Sequence, residues 1–152
     1  KILSEYYTKY YDPKKIPAAI EIPFSFRIKN IKVGGKIDRI DKLANNKIEI
    51  IDYKTGKPNS NKKSYMFQLG LYALAAQKVK HDLFKVQPDD IKVSLLYLET
   101  GEKISSTITS DKLEAVEGEI LEKVKKIETS DFVCSKSILC KNCEYKILCN
   151  VN

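Results

Sequence analysis

Two carboxylates and an ammonium carry the chemistry most visible in this chain. Asp52 and Lys54 stand two residues apart in Ile50-Ile51-Asp52-Tyr53-Lys54-Thr55-Gly56, and Asp38 stands upstream in Gly34-Gly35-Lys36-Ile37-Asp38-Arg39-Ile40-Asp41. Side chains alternate along a strand, so Asp52 and Lys54 share a face, in apolar company where burying charge is costly. Such charges either meet water at a strand end or form a metal-dependent site. Asp-x-Lys alone is too common a tripeptide to choose between them.

The register of the hairpin matters more. If Leu43 pairs with Lys47 across a three-residue loop, Asp38 falls directly opposite Asp52. A two-residue loop at Asn45-Asn46 puts Tyr53 there instead and turns Asp52 to the other face. The chemistry therefore predicts the odd-length loop or an equivalent bulge. Two carboxylates that close repel each other unless a cation lies between them. Mg²⁺ or Mn²⁺ takes such oxygen ligands and keeps several waters, and the Tyr53 carbonyl supplies one more oxygen. The ion would polarise a phosphodiester and help produce hydroxide. Lys54 would orient the attacking water or offset charge in the transition state.

The elements that must position these groups follow from pattern. Strands are predicted over 19–29, 32–43 and 47–54, with Pro23 marking an edge or bulge. A polar loop over 55–63 leads into a helix over 64–80, rich in Leu and Ala, with Gly70 as a point of close packing. Gln68 and Tyr72, four apart, face the same way on it. A second hairpin spans 91–98 and 103–109, turning at Glu99-Thr100-Gly101-Glu102. Asp111 is the expected N-cap of a last helix, with Glu114 three residues on. Its apolar positions Leu113, Val116, Ile120, Val124 and Ile127 mark it as a layer on the sheet. The sum is an α/β or α+β domain, a central sheet flanked by helices.

Composition narrows the partners. The chain has 152 residues, enough for one domain, and because Lys1–Tyr11 reads as part of a helix already under way, a fragment of a longer protein is expected. Lys and Arg total 27 against 20 acids, a net charge of +7 that suits a phosphate-rich partner. No apolar run reaches the ~18 residues of a membrane span and no secretory signal is visible. The expected location is therefore the cytoplasm, at the nucleoid. Cys134, Cys140, Cys143 and Cys149 cluster at the end with spacing C-x5-C-x2-C-x5-C. Such a set can make one tetrahedral sulfur site for zinc or an iron–sulfur cluster, and the wide gaps favour the cube of a 4Fe–4S cluster over a zinc ribbon.

Taken together, G-x-x-D-x-x-D, I-I-D-Y-K-T-G and Q-L-G-L-Y on a helix closely resemble the RecB-type branch of the PD-(D/E)XK nuclease superfamily, from about Glu21 to Cys149. The resemblance implies a restriction-endonuclease-like central mixed sheet flanked by helices, α/β in class, with a C-terminal cysteine-ligated metal-cluster segment over 130–152. The whole of 1–152 would be one nuclease domain, truncated at its N-terminus. Asp38 and Asp52 would bind metal, with Tyr53 lending its carbonyl, and Lys54 would be the catalytic lysine. Gln68 and Tyr72 would sit beside the metal, contacting DNA or orienting the lysine. Glu21 matches an acidic position often found upstream. Arg39 and Asp41, on the other face, pair structurally.

In that family a histidine often reaches the metal from an upstream helix. His81, the chain's one histidine, does not match it and is expected at the surface. Cys140, Cys143 and Cys149 match three ligands of a structural 4Fe–4S cluster, with Cys134, or a cysteine before Lys1, as the fourth; zinc is the alternative. The implied function is Mg²⁺- or Mn²⁺-dependent DNA hydrolysis on single strands delivered by a helicase, in repair or recombination. The layout resembles nuclease domains of UvrD/RecB-like helicases, and also RecB-like exonucleases and CRISPR-associated nucleases. The rival readings are a catalytically inactive DNA-binding or scaffold module, and a metal-stabilised protein-interaction module.

Overall fold

A computed structural model describes residues 2–58, 62–131 and 137–144. Among the described residues, three α-helices and five strands follow one another as α1 (Ile2–Tyr10), β1 (Ala19–Ile28), β2 (Ile31–Lys42), β3 (Ile48–Lys54), α2 (Lys62–Lys78), β4 (Ile91–Tyr97), β5 (Lys103–Thr107) and α3 (Ser110–Glu128). The chain divides into two compact units, Lys1–Gly118 and Glu119–Asn152.

The first unit is built on one sheet whose spatial order is β1-β2-β3-β4-β5. β3 and β4 run parallel and the other neighbours antiparallel, so the sheet is mixed and the fold α/β. Parallel neighbours need a crossover, and α2 supplies it. β3 lies in the middle of the sheet, and every residue from Ile48 to Asp52 is buried. A strand covered on both faces explains why its sequence reads as a nearly unbroken apolar run. β1, at the edge, tolerates Pro23, and its Phe24, Phe26 and Ile28 alternate into the core.

The β2–β3 register has the predicted parity. Arg39 pairs with Ile51, Ile40 with Ile50, Asp41 with Glu49 and Lys42 with Ile48. The Leu43 N–H then bonds to the Lys47 carbonyl at 2.8 Å, closing a loop of Ala44, Asn45 and Asn46. Asn45 and Asn46 both take left-handed backbone, with φ of 58° and 57°, a conformation asparagine adopts more readily than most residues.

α2 buries Leu69, Tyr72, Ala73, Leu74, Ala75 and Ala76. Its contacts reach β1, β3 and β4, and its three alanines let it lie close to the strands. Gly70 is required by the close approach of α2 and the first half of α3, because a Cβ there would fall 2.5 Å from Val116 Cγ2. Lys78 and Glu117 pair across the same contact at 3.1 Å. α3 starts earlier than predicted: the Thr109 carbonyl accepts the Leu113 N–H, so the cap falls at Thr109 and Asp111 sits in the first turn. There its charge still suits the positive end of the helix dipole. Among the described residues, no helix is long and apolar enough to cross a membrane.

In the second unit, Glu119–Lys123 and Glu122–Lys126 form i,i+4 pairs along α3. A short turn of 3-10 helix, Ile138–Asn142, carries Cys140.

Candidate active site

The site lies at the C-terminal end of β3, beneath α2. Asp52 is 3% exposed. Its Oδ1 accepts two hydrogen bonds, from Gln68 Nε2 and from the Tyr72 hydroxyl, both at 3.0 Å. Gln68 Nε2 also lies 2.9 Å from the Tyr72 oxygen, so the two residues one helical turn apart grip the same carboxylate oxygen together. Burial, followed by the charge of Asp52 and the hydrogen bond to it, raises the Tyr72 hydroxyl well above the usual tyrosine range. Tyr72 is therefore a fixed neutral donor.

Asp52 Oδ2 is different. Lys54 Nζ lies 2.5 Å away in an ion pair outside hydrogen-bond alignment, and among the described residues no other donor reaches this buried oxygen. Lys54 gives its aligned hydrogen bond to Gln68 Oε1, at 2.8 Å. The ammonium also stands 5.6 Å from the centre of the Tyr65 ring, within cation–π range. Gln68 thus connects three groups, accepting from Lys54 and donating to Asp52 and Tyr72.

Continued by one residue, the register would set Asp38 across from Asp52, and there the ladder opens. Regular pairing of β2 with β3 ends at Arg39 and Ile51. The next free amide, Tyr53 N–H, donates to Asp38 Oδ2 at 2.9 Å instead of to a β2 carbonyl. On its other side, β1 and β2 pair on one register through Ile20↔Arg39 and Ile22↔Ile37 but skip the position between, Glu21 and Asp38. Glu21 there has a left-handed φ of 52°. The backbone on both sides lets go of Asp38, which frees its side chain from the demands of a flat sheet.

The predicted site residues do not all converge. Asp38, Asp52, Lys54, Gln68 and Tyr72 come together. The exposed Glu21 carboxylate pairs instead with Lys36 Nζ at 2.8 Å. Arg39 and Asp41 form the expected structural pair on the opposite face, with Nε–Oδ1 at 2.7 Å and Nη2–Oδ2 at 3.0 Å, and Arg39 also donates to the Tyr53 hydroxyl at 3.2 Å. His81 is exposed, and its Nδ1 accepts the Leu83 N–H at 3.2 Å, capping a short turn. Tyr65 is a member of the site that sequence reasoning does not single out. Its spacing of three from Gln68 on the same helix was the available signal.

The opposite face of β3 carries a second buried acid. Glu49 is 4% exposed. Its Oε1 accepts the Ser94 hydroxyl at 2.5 Å and sits 2.7 Å from Lys103 Nζ and 3.3 Å from Lys92 Nζ. Burial pulls the carboxyl up, but the bonds from Lys103 and Ser94 and the two lysine charges outweigh it and hold Glu49 below the usual range.

Among the described residues, no three His, Cys, Asp or Glu side chains gather as a metal site. The donor set at β3 nevertheless fits Mg²⁺ or Mn²⁺, which bind through one or two carboxylates and retain waters. The buried Asp52 Oδ2, which accepts no aligned hydrogen bond, is the acceptor such an ion would satisfy. In the cysteine segment, the Ser137 N–H points at Cys140 Sγ at 3.2 Å. Cys134 and Cys149 lie outside the described residues.

Comparison with known proteins adds three kinds of likeness. Residues 2–150 match the family model described as "PD-(D/E)XK nuclease superfamily". The crystal structure of SSO0001 is similar with a TM-score of 0.52 at 14% identity, over 97% of this chain and 65% of that one. A protein of Eubacterium rectale named "Putative exonuclease" has a TM-score of 0.51 at 11% identity, over 99% of this chain and 64% of its own. At those identities the likeness is one of fold. In sequence, "Gene 69 protein" of Mycobacterium phage L5 is 44% identical over 57 residues, 38% of this chain and 18% of that protein. The chain spans less than two thirds of each of these relatives.

Proposed function

Because this chain belongs to the PD-(D/E)XK nuclease superfamily, we propose that it hydrolyses phosphodiester bonds of DNA with a divalent ion held by Asp38 and Asp52. One observation carries the reading: a buried carboxylate oxygen with no aligned hydrogen bond, met by the Lys54 ammonium and close to a second acidic residue, Asp38. The Tyr53 carbonyl is the proposed third protein oxygen. When bound, Mg²⁺ or Mn²⁺ supplies an electrophile for the phosphate and eases deprotonation of the attacking water.

The residues around it have separate tasks. Lys54 holds the attacking water or meets the charge that develops on the phosphoryl oxygens. Gln68 aims Lys54 through its side-chain oxygen and keeps Asp52 in place through its nitrogen. Tyr72 fixes the second bond to Asp52 Oδ1, so the carboxylate cannot rotate away from the ion. Tyr65 lies under the ammonium and limits where it can go. Glu21 enters this scheme only by leaving Lys36.

The test is Mg²⁺- or Mn²⁺-dependent cleavage of labelled DNA by the chain and its Asp52→Asn and Lys54→Ala variants. Cleavage that depends on the metal and disappears in both supports the assignment. Cleavage that survives in both overturns it. Exonuclease action, a preference for single strands, and delivery by a helicase in repair or recombination belong to the same proposal. They are read by comparing single- and double-stranded, linear and circular substrates.

For the cysteine segment we propose a structural 4Fe–4S cluster on Cys134, Cys140, Cys143 and Cys149, with Zn²⁺ as the rival occupant. Support comes from the Ser137 N–H aimed at Cys140 sulfur, since hydrogen bonds to sulfur stabilise thiolate ligands. Metal analysis and visible absorbance of anaerobically purified protein distinguish the two.

A further inference from the structure

The end of β3 is held unequally along its two edges. On the β4 side, parallel pairing runs on through Lys54↔Tyr97, and the Leu98 N–H then donates to the Lys54 carbonyl at 2.9 Å. On the β2 side, backbone pairing stops at Arg39↔Ile51, one residue short of the two acids. Beyond that point Tyr53 reaches β2 twice. Its N–H donates to Asp38 Oδ2 at 2.9 Å, and its hydroxyl accepts from Arg39 Nη1 at 3.2 Å. The second bond runs diagonally across the strands on the face opposite Asp52, within the reach of two long side chains. Arg39 is itself fixed: Nε and Nη2 grip both oxygens of Asp41, at 2.7 and 3.0 Å, and Nη2 also donates to the Lys15 carbonyl at 3.3 Å. From α1 the Tyr6 ring meets the Tyr53 ring edge-on, with centroids 6.4 Å apart and planes at 85°.

We propose that Arg39 is a positioning residue for the metal centre: by clamping the Tyr53 side chain from behind the sheet, it steadies the Tyr53 amide that holds Asp38, and so sets where Asp38 stands relative to Asp52. The inference rests on the nuclease reading and adds to it the device that keeps two repelling carboxylates in place before an ion arrives. At an opening in the ladder, strand geometry no longer dictates where a side chain stands. The amide can hold Asp38 only as far as residue 53 is itself still, and residue 53 has no backbone partner on β2. A planar guanidinium whose other donors are committed to Asp41 and Lys15 presents its remaining N–H in one fixed direction, which suits it to this task. Because the Tyr53 carbonyl is also a proposed ligand, movement of residue 53 would disturb two of the three protein oxygens at once.

The experiment compares the chain with its Arg39→Lys and Tyr53→Phe variants. The first keeps a cation beside Asp41 without the fork, and the second removes only the hydroxyl. Backbone amide exchange is followed by NMR on the metal-free protein, and Mn²⁺ binding by calorimetry. Both variants should speed exchange at residue 53 by roughly 5- to 10-fold relative to the amides of residues 48–51, the effect of losing one hydrogen bond from the closed state. Mn²⁺ should bind about 10-fold more weakly, the low end for removal of a group that orients a metal ligand. The double variant should bind it no more weakly than either single one, because the two side chains act as a unit. Unchanged exchange and unchanged affinity, in a protein that binds the ion, would overturn the clamp and leave the nuclease assignment standing. Exchange quickened evenly along β3, or quickened at residue 53 with Mn²⁺ affinity unchanged, would overturn it too. Exchange quickened at residue 53 alone, in a protein that binds no Mn²⁺ and cuts no DNA, would support the clamp on Asp38 and remove the nuclease assignment.

Discussion

β3 carries two buried acids three residues apart, Glu49 and Asp52, on opposite faces of one sheet. They are equally hidden from water, at 4% and 3% exposure, yet they are treated differently. Glu49 is met by a hydroxyl and two ammonium groups, and its charge is bound into the sheet through β4 and β5. Asp52 is held firmly by one oxygen while the other faces an ammonium without a proper hydrogen bond. A buried charge that is well served stabilises one arrangement of strands. One that is half served stores unsatisfied acceptor capacity for something that binds later.

The sharpest way to break this contrast is to neutralise each acid in turn. Asp52→Asn is expected to cut metal-dependent cleavage by about 10³-fold or more, on the scale of removing a principal stabiliser of the transition state. Glu49→Gln should leave cleavage nearly untouched. Single-turnover assays at saturating metal test both, and a large catalytic loss in the Glu49 variant would erase the distinction.

Lys54 sharpens it from the other side. Lys54→Met should lower turnover by roughly 10²-fold, the low end for removal of a proton-handling or charge-stabilising group. It should also tighten Mn²⁺ binding in calorimetry, because the ammonium beside Asp52 Oδ2 no longer repels the incoming ion. Next comes Gln68→Ala, which should reduce metal affinity or activity by about 10- to 100-fold, the effect of removing a residue that orients a ligand.

The Glu49 side should respond in stability instead. Lys103→Met leaves a buried carboxylate short of a partner and is expected to cost about 1–3 kcal/mol in urea unfolding, with cleavage unchanged. The pH dependence has a definite sign. Glu49 is held below its usual value, so its contribution is fully present above the unfolded pKa of about 4.3 and is lost as pH falls through the lower folded value. Glu49→Gln should flatten that part of the acid limb, which melting curves across pH will show.

Much of this arrangement is legible in the sequence because it depends on short-range rules. Strand alternation and an odd loop are enough to bring Asp38 to Asp52, and helical spacing is enough to put Gln68 beside Tyr72. The Arg39–Asp41 pair follows from the same alternation. What escapes involves partners distant in sequence. Glu49 reads as an ordinary polar position because Ser94 and Lys103 reach it only after β3 and β4 pair in parallel. Tyr65 escapes because its value lies in a ring placed under Lys54, which no local pattern announces. Glu21 matches by position, but its left-handed backbone turns it to Lys36, and backbone handedness at a non-glycine residue has no reliable signature in sequence.

The Ala44-Asn45-Asn46 connection lies at the far end of the β2–β3 hairpin from the chemistry, yet the pairing it closes sets whether Asp52 looks toward α2. Pairing Ala44 with Lys47 over a two-residue turn would slip the middle strand by one residue, set Tyr53 across from Asp38 and turn Asp52 away from Gln68 and Tyr72. Changes that move this pairing by one residue should therefore abolish metal-dependent cleavage, and changes absorbed within the bend should be tolerated. A remote surface bend thus fixes the side of the sheet on which the paired acids can meet.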